Sequence, residues 1–450
     1  MGSHALEGAP VALESSLNLR PYWLPFTANR AFKQRPRLIE SASGFHYTTV
    51  DGRTVLDSFS GLWTSGAGHC HPKIVEAVQS QVAKLDYSAA FNVSHPGAFE
   101  LAERVVDMAP KGFDHCFFVN SGSEAADTAL KIALGYQRVI GQGTRTRLIG
   151  RERAYHGVNF GGMSVGGIPA NRKMFGGSLL SSVSHLVHTH NLEHNAFSHG
   201  QPKWGAHLAD DLEHLVAMHD ASNIAAVIVE PVAGSTGVLV PPVGYLEKLR
   251  ELCTRHGILL IFDEVITAFG RVGAAFGAER FDVMPDIITT AKGLTNGVIP
   301  MGAVLVKKEI HDAFMNGPDF AIEFFHGYTY SGHPVAAAAG LAALDLYEEE
   351  DMFGQARELE PVFEEIIHSM KDAPHVIDVR NFGLMGSVEL APREGLPGAR
   401  GFETHEKCFE QGLMIRNGAD VLQFAPFMTF KREHLEQTFD KVRKVLKTVD

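Results

Sequence analysis

Cysteine is scarce in this chain: Cys70, Cys116, Cys253 and Cys408 are the four among 450 residues, and no two form a Cys-x-x-Cys pair. This excludes a disulfide framework and a zinc ribbon, and it fits reduced thiols in the cytoplasm. Long apolar runs are also missing. No stretch reaches the eighteen or so residues of a membrane-spanning helix, so no membrane association is expected. Basic residues are in deficit, 40 against 52 acidic, for a net charge of −12. A chain so charged offers no general surface to nucleic acid or anionic lipid. The start, Met1-Gly2-Ser3-His4, lacks a basic segment followed by an apolar one and reads as a tag remnant rather than a targeting signal. Leu6 breaks the myristoylation pattern. Internal repeats and long low-complexity segments are absent too.

What is present is a globular composition, 45% hydrophobic and 20% charged, long enough for two or three domains with ample core. Strand-like runs alternate with helical patterns from about residue 70 to 335. The expected strands include Phe117–Asn120, Arg147–Gly150, Ile224–Glu230, Ile258–Asp263, Asp286–Thr290 and Gly302–Val306. Apolar runs separated by helices predict a mainly parallel sheet covered on both faces, with ligands at the carboxyl ends of its strands. After Pro334 the texture changes to a long alanine-rich helix, short strands and a closing helix with Leu435, Phe439, Val442 and Leu446 on one face. Three segments are expected: 1–62 joining a small domain, 63–335 as a large domain, and 336–450 as the small α+β domain.

The most informative residue is Lys292, which ends the run Asp286–Ala291 and opens a glycine turn; Asp263 ends the earlier run Leu259–Phe262. A lysine and an acid at neighbouring strand ends suit pyridoxal phosphate, which needs a Schiff-base lysine and a carboxylate for its ring nitrogen. Between the strand Phe117–Asn120 and a helix from Glu124 to Ile140 lie Ser121, Gly122 and Ser123. There the glycine permits close backbone approach, and the helix start presents unpaired N–H groups to an anion. An ordinary N-cap serine is the plainer reading of this loop taken alone. It is not a Walker loop, since no Gly-Lys-Ser/Thr follows, and it lacks G-x-G-x-x-G spacing.

Taken together, Asn120-Ser121-Gly122-Ser123-Glu124-Ala125, Tyr155-His156-Gly157, Val229-Glu230-Pro231, Asp263-Glu264-Val265, Ala291-Lys292-Gly293-Leu294-Thr295 and the stretch from His326 to Pro334 resemble the class III aminotransferases, pyridoxal phosphate enzymes of fold type I. The segments occur in family order and span roughly residues 20 to 450. Gly61-Leu62-Trp63, Ala233-Gly234-Ser235, Ile415-Arg416-Asn417 and Leu422-Gln423-Phe424 are similar to the omega-amino acid–pyruvate branch, which includes the beta-alanine–pyruvate enzymes. Many relatives that use 2-oxoglutarate have Gln-Gly-Glu after the Glu-Pro pair, where this chain has Val232 and then Ala233-Gly234-Ser235. Ala268 stands where the family usually has glycine.

The resemblance implies an α/β fold, a large domain with a mainly parallel seven-stranded sheet plus a smaller α+β domain. It also implies roles. Lys292 carries the cofactor and shuttles a proton, and Asp263 keeps the ring nitrogen protonated. Ser121, Gly122 and Ser123 hold the phosphate. Tyr155 and Val265 flank the ring, and Glu230 either orders the polar network or makes a structural ion pair. Thr329 reaches the phosphate from a neighbouring subunit, which makes the expected unit a homodimer with shared active sites; further pairing into tetramers is left open. Phe91 either crosses the same interface or packs in the core. Arg416 grips the carboxylate of pyruvate and swings away for apolar amines. Trp63 and Phe26 form an apolar wall or are plain core.

The expected reaction takes an amino group from an amine donor such as beta-alanine and gives it to pyruvate in two half-reactions. The same fold hosts aminomutases, decarboxylases and racemases, for which Lys292 and Asp263 would serve equally. A non-enzymatic phosphate-ligand binding protein is the remaining alternative. No metal is expected: His185, His188, His190, His194 and His199 follow no zinc-ligand spacing and read as a solvated loop, and Gly68-His69-Cys70-His71 is no better.

Overall fold

A computed structural model of the chain describes residues 17–450. Met1–His4, Leu6 and the rest of the first sixteen residues lie outside them, so the tag and lipidation readings do too. Three short strands come first: β1 (Ile39–Ser43), β2 (His46–Thr49) and β3 (Thr54–Asp57). They form an antiparallel meander, and β3 pairs in parallel with Leu413–Met414 near the other end of the chain. That pairing ties the amino-terminal segment to the carboxyl-terminal one.

The large sheet contains β4 (Phe113–Val119), β5 (Arg147–Arg151), β6 (Val183–Leu186), β7 (Ile224–Val229), β8 (Leu259–Asp263), β9 (Ile287–Thr290) and β10 (Gly302–Lys307), in the order β4-β10-β9-β8-β7-β5-β6. Its seven strands include a single reversal, β10, which runs antiparallel to both β4 and β9. All six residues of β7 are buried, as a central strand covered on both faces requires. Every expected strand forms, within a few residues. β6 is the addition: its Val183-Ser184-His185-Leu186 is only partly buried at the sheet edge and lacks an apolar run.

Two helices fix the edge where the strands end. Gly122–Val139 leaves β4 through Ser121, and its Ala125, Ala129 and Ala133 face the sheet, their small side chains allowing close packing. Pro334–Glu349, almost all alanine and leucine inside, packs against Pro72–Lys84, Pro96–Met108 and the turn Lys292–Thr295. A Cβ on Gly340 would stand 2.9 Å from Leu101. Tyr347 from this helix donates a hydrogen bond of 2.7 Å to the Gly293 carbonyl, pinning the turn after Lys292.

The last sheet is antiparallel, β11 (Val376–Phe382), β12 (Met385–Leu390), β14 (Arg416–Gly418) and β15 (Val421–Phe424), in the order β11-β12-β15-β14; Leu413–Met414 is β13. Helices Met352–His368 and Arg432–Leu446 back it, with Phe424 and Phe439 rings 4.7 Å apart. The loop after β8 reaches across to this sheet. Its buried Arg271 donates to the carbonyl of Pro426 at 2.6 Å, and its own carbonyl accepts from Leu384 N–H at 2.9 Å.

Candidate active site

The carboxyl ends of β7, β8 and β9 are neighbours, and each is followed by, or closes on, a titratable residue: Glu230, Asp263 and Lys292. Lys292 adopts φ of 48°, a left-handed conformation that a side chain bearing a Cβ tolerates only where its surroundings enforce it. Here the enforcing contacts are the bond from Tyr347 to Gly293 and that from Gly297 N–H to the Lys292 carbonyl, 3.0 Å. Burial pulls the Lys292 amine down to about 8, the Asp263 carboxylate opposes that shift, and the Arg416 cation adds to it.

Asp263 is 5% exposed and does not stand alone. His156 Nδ1 lies 2.7 Å from its Oδ2, and Val265 N–H donates to its Oδ1 at 3.1 Å. His156, to which the sequence assigns no role, is therefore a direct partner of the acid. Its position beside Tyr155 in the family stretch was the signal available.

At the start of the helix Gly122–Val139, Ser121 Oγ accepts the Glu124 N–H at 3.2 Å. The N–H groups of Gly122 and Ser123 have no acceptor among the described residues, so the helix start points two free donors outward. A Cβ at Gly122 would lie 2.8 Å from Val265 Cγ1. Gly122 and Val265, distant in sequence, thus touch. Ser123 Oγ accepts from Val158 N–H at 3.1 Å and ties the cradle to the Tyr155–Gly157 turn. Glu230 is buried and bridges two segments, accepting from Tyr155 N–H at 2.9 Å and Gly234 N–H at 3.1 Å; burial pushes its carboxyl up. Backbone ordering, with no ion pair among the described residues, is what its side chain does here.

Arg416 opens β14 with its guanidinium 5.8 Å from the Phe59 ring. It makes no hydrogen bond or ion pair with the described residues, although burial pulls its pKa down. Trp63, 2% exposed, meets Phe59 edge-on at 4.6 Å, and its Nε1 is buried without a partner. Trp63, Phe59 and Arg416 thus form one run. By contrast Phe26, Phe91 and Thr329 lie on the exterior of the single chain. Thr329 offers its carbonyl to Tyr87 at 2.9 Å, and Phe91 lines a cavity of about 300 Å³ with Phe117, His326 and Gly327.

The histidines do not gather. His199 Nδ1 meets a single carboxylate, that of Glu364, at 3.0 Å, and His190 lies with Asp378 and Glu389, their ligand atoms within 4.8 Å of one another. Arg380 already bonds both acids.

The arrangement can hold an anion at a helix start, a cation next to Asp263, and a carboxylate at Arg416, with an amine of lowered basicity between them. The chain is 58% identical over 433 residues to an omega-aminotransferase of Caulobacter vibrioides, covering 96% of this chain and 98% of that one. It is 53% identical over 438 residues to a beta-alanine–pyruvate aminotransferase of Pseudomonas aeruginosa, covering 96% and 97%. Among solved structures, the omega transaminase from Pseudomonas jessenii in complex with PMP superposes with a TM-score of 0.89 at 29% identity, over 96% of each chain. The family profile "Aminotransferase class-III" matches residues 27–446. By that match and by its geometry, the chain belongs to the class III aminotransferases.

Proposed function

We infer that this protein is a pyridoxal phosphate-dependent omega-amino acid–pyruvate aminotransferase. It moves the amino group of an omega-amino acid such as beta-alanine, or of a primary amine, to pyruvate, releasing a carbonyl product and alanine. The observation that carries the reading is Lys292 beside Asp263 at adjacent strand ends, with an unpaired cation, Arg416, close enough to lower the lysine pKa.

The residues fit the cofactor. Free N–H groups at Gly122 and Ser123 suit a phosphate, the missing Gly122 Cβ lets Val265 pack against the cradle, and the buried Asp263 carboxylate suits a protonated ring nitrogen. Bound pyridoxal phosphate supplies an aldehyde that condenses with amines and a ring that draws electrons from the amine-bearing carbon. Ser121, Gly122 and Ser123 would hold its phosphate, Tyr155 and Val265 its faces, and Lys292 its carbonyl carbon. His156 keeps Asp263 oriented at 2.7 Å. Once the donor replaces it, the Lys292 amine, neutral above about pH 8, takes the proton from the donor's amine-bearing carbon. Glu230 holds Tyr155 and the Gly234 loop in place. Arg416 binds the pyruvate carboxylate bidentately, while Trp63 and Phe26 bound the apolar side and Phe91 reaches it across the dimer interface.

The working unit in this reading is a homodimer, in which the partner subunit's Thr329 completes the phosphate site. The exposure of Phe325 (87%), Phe99 (69%) and Phe91 (58%) supports it, since a monomer seldom leaves such a surface bare. No described helix is long and apolar enough to cross a membrane, and we place the enzyme in the cytoplasm. Residues 63–335 form the cofactor domain in this scheme, with 1–62 and 336–450 composing the smaller one.

The deciding experiment is the visible spectrum of the purified protein before and after beta-alanine and then pyruvate. The expected result is a cofactor–lysine band that bleaches with the amine and returns with the keto acid. Bleaching only by other amines would move the donor, and no band even after adding pyridoxal phosphate would overturn the role of Lys292.

A further inference from the structure

Three segments that resemble the omega-amino acid–pyruvate branch meet in space, two of them on the β14–β15 hairpin and the third, 233–235, far away in the chain. Gln423 Nε2, on β15, donates to the carbonyl of Ser235 at 3.0 Å, and Gln423 sits directly opposite Arg416 on β14. Ser387 is opposite Gln423 on the other side, and its hydroxyl donates to the carbonyl of Gly237 at 2.8 Å. Residues opposite one another in an antiparallel pair share a face, with Cβ atoms about 4.5–5.5 Å apart. Ser387, Gln423 and Arg416 therefore form a polar row facing the loop 233–239. Gly418 leaves space for the row, since a Cβ there would stand 3.2 Å from Gln423 Nε2.

One group on this row is buried without a partner, and a half-buried cation stands next to it. Gln423 is fully buried (0% exposed), and its Oε1 has no partner among the described residues. Arg416, its neighbour, has no acceptor among the described residues and is buried enough to lower its pKa. A buried amide oxygen without a donor is costly, and a cation able to donate to it stands on its cross-strand neighbour.

We propose that Gln423 Oε1 is the resting acceptor for Arg416: the guanidinium folds onto it when the bound substrate has no carboxylate and leaves it when pyruvate or an omega-amino acid arrives. This rests on the reading of Arg416 as the carboxylate-binding residue. A neutral amide suits the task. One amide oxygen holds a guanidinium less firmly than a bidentate carboxylate does, so the substrate wins the exchange, whereas an acidic residue at 423 would compete with it. Gln423 is thus a positioning residue that sets the balance between carboxylate-bearing and carboxylate-free substrates.

The test compares Gln423→Leu, which removes the acceptor, with Gln423→Glu, which keeps an acceptor at that place. Both lose the donor to Ser235, so loosening of the loop is common to them. The holoenzyme is titrated with propionate, an unreactive carboxylate, by the change in cofactor absorbance. KM for pyruvate and for 1-phenylethylamine is measured alongside. Losing one such hydrogen bond corresponds to roughly a 3- to 10-fold effect. Gln423→Leu is expected to bind propionate that much more tightly and to show a higher KM for 1-phenylethylamine, with kcat for pyruvate near wild type. Gln423→Glu is expected to bind propionate no more tightly than wild type. If both variants match wild type, or both shift in the same direction, the proposal is overturned. Arg416→Ala separates the two layers. Propionate binding as tight as wild type in that variant would overturn the underlying role of Arg416. Weakened binding there, with the two Gln423 variants indistinguishable, would overturn the role of Gln423 alone.

Discussion

Lys292 shows how a residue's chemistry depends on what surrounds it. A free lysine at neutral pH is almost wholly charged and a poor nucleophile. Burial brings this one to about 8. Below that pH the amine holds its proton and cannot attack an aldehyde; above it the neutral form dominates. The rate at which the apo-protein takes up pyridoxal phosphate should therefore rise with pH to half its maximum near 8, as followed by stopped-flow absorbance, and Lys292→Ala should show neither uptake band nor amino transfer. Gly122 makes a second residue-scale prediction. In Gly122→Ala the new Cβ would stand 2.8 Å from Val265 Cγ1. Valine is stiff at χ1, and overpacking of this kind costs about 1–3 kcal/mol, so affinity for pyridoxal phosphate should fall on the order of tenfold in equilibrium dialysis. Sequence made Lys292, Asp263 and the Ser121–Ser123 loop legible because each ends a strand or opens a helix. His156 and Gln423 were not, because their partners, Asp263 and Ser235, are far away in the chain and only packing supplies them.

The segment that follows β3 is the element whose geometry matters most to the substrate side. Ser60, Gly61 and Trp63 have φ of 44°, 68° and 63°, conformations that cost energy for the two residues bearing side chains. Asp57, fully buried, holds them. Its carboxylate accepts from Phe59 N–H at 2.8 Å and Gly61 N–H at 2.6 Å, and His69 Nε2 lies 2.8 Å away. Asp57→Ala would leave two N–H groups without acceptors and should destabilise the protein by roughly 2–4 kcal/mol, read as a lower urea midpoint. KM for apolar amines should rise as Trp63 loses its place. Asp57→Asn, which keeps one acceptor oxygen, should recover about half the loss. Sequence indicated Trp63 through the Gly61-Leu62-Trp63 match, but nothing in the spacing pointed to Asp57 or to the left-handed turn.

At the scale of the molecule, the single chain leaves Thr329 and the aromatic rim of Phe91 and Phe99 outside. If a second copy covers that rim and brings Thr329 to the phosphate, assembly and activity must rise and fall together. Phe99→Asp, which places a charge in the cavity lined by Phe91 and Gly327, should shift sedimentation from dimer to monomer and abolish amino transfer, although Phe99 has no contact with Lys292 or Asp263. Monomers with full activity would refute the shared site. The parallel order of β5 to β9 and the closing helix were readable because a buried strand needs an apolar run and an amphipathic helix needs a 3.6-residue period. Edge strand β6, the reversal of β10 and the bond between β3 and β13 were not, since polar edge strands carry weak patterns and pairing between distant segments leaves no local mark.

By itself, then, the sequence determined the central strands and the closing helix, a lysine and an acid at strand ends, and the family to which the ordered segments belong; these depend on periodicity and residue type, which are local. The tertiary structure decided which groups meet: His156 on Asp263, Val265 on Gly122, Glu230 between Tyr155 and Gly234, and Gln423 on the Ser235 carbonyl. Such contacts arise when separate elements pack, and a hydrogen bond or close approach between segments far apart in the chain is set by their relative placement rather than by any pattern within either one.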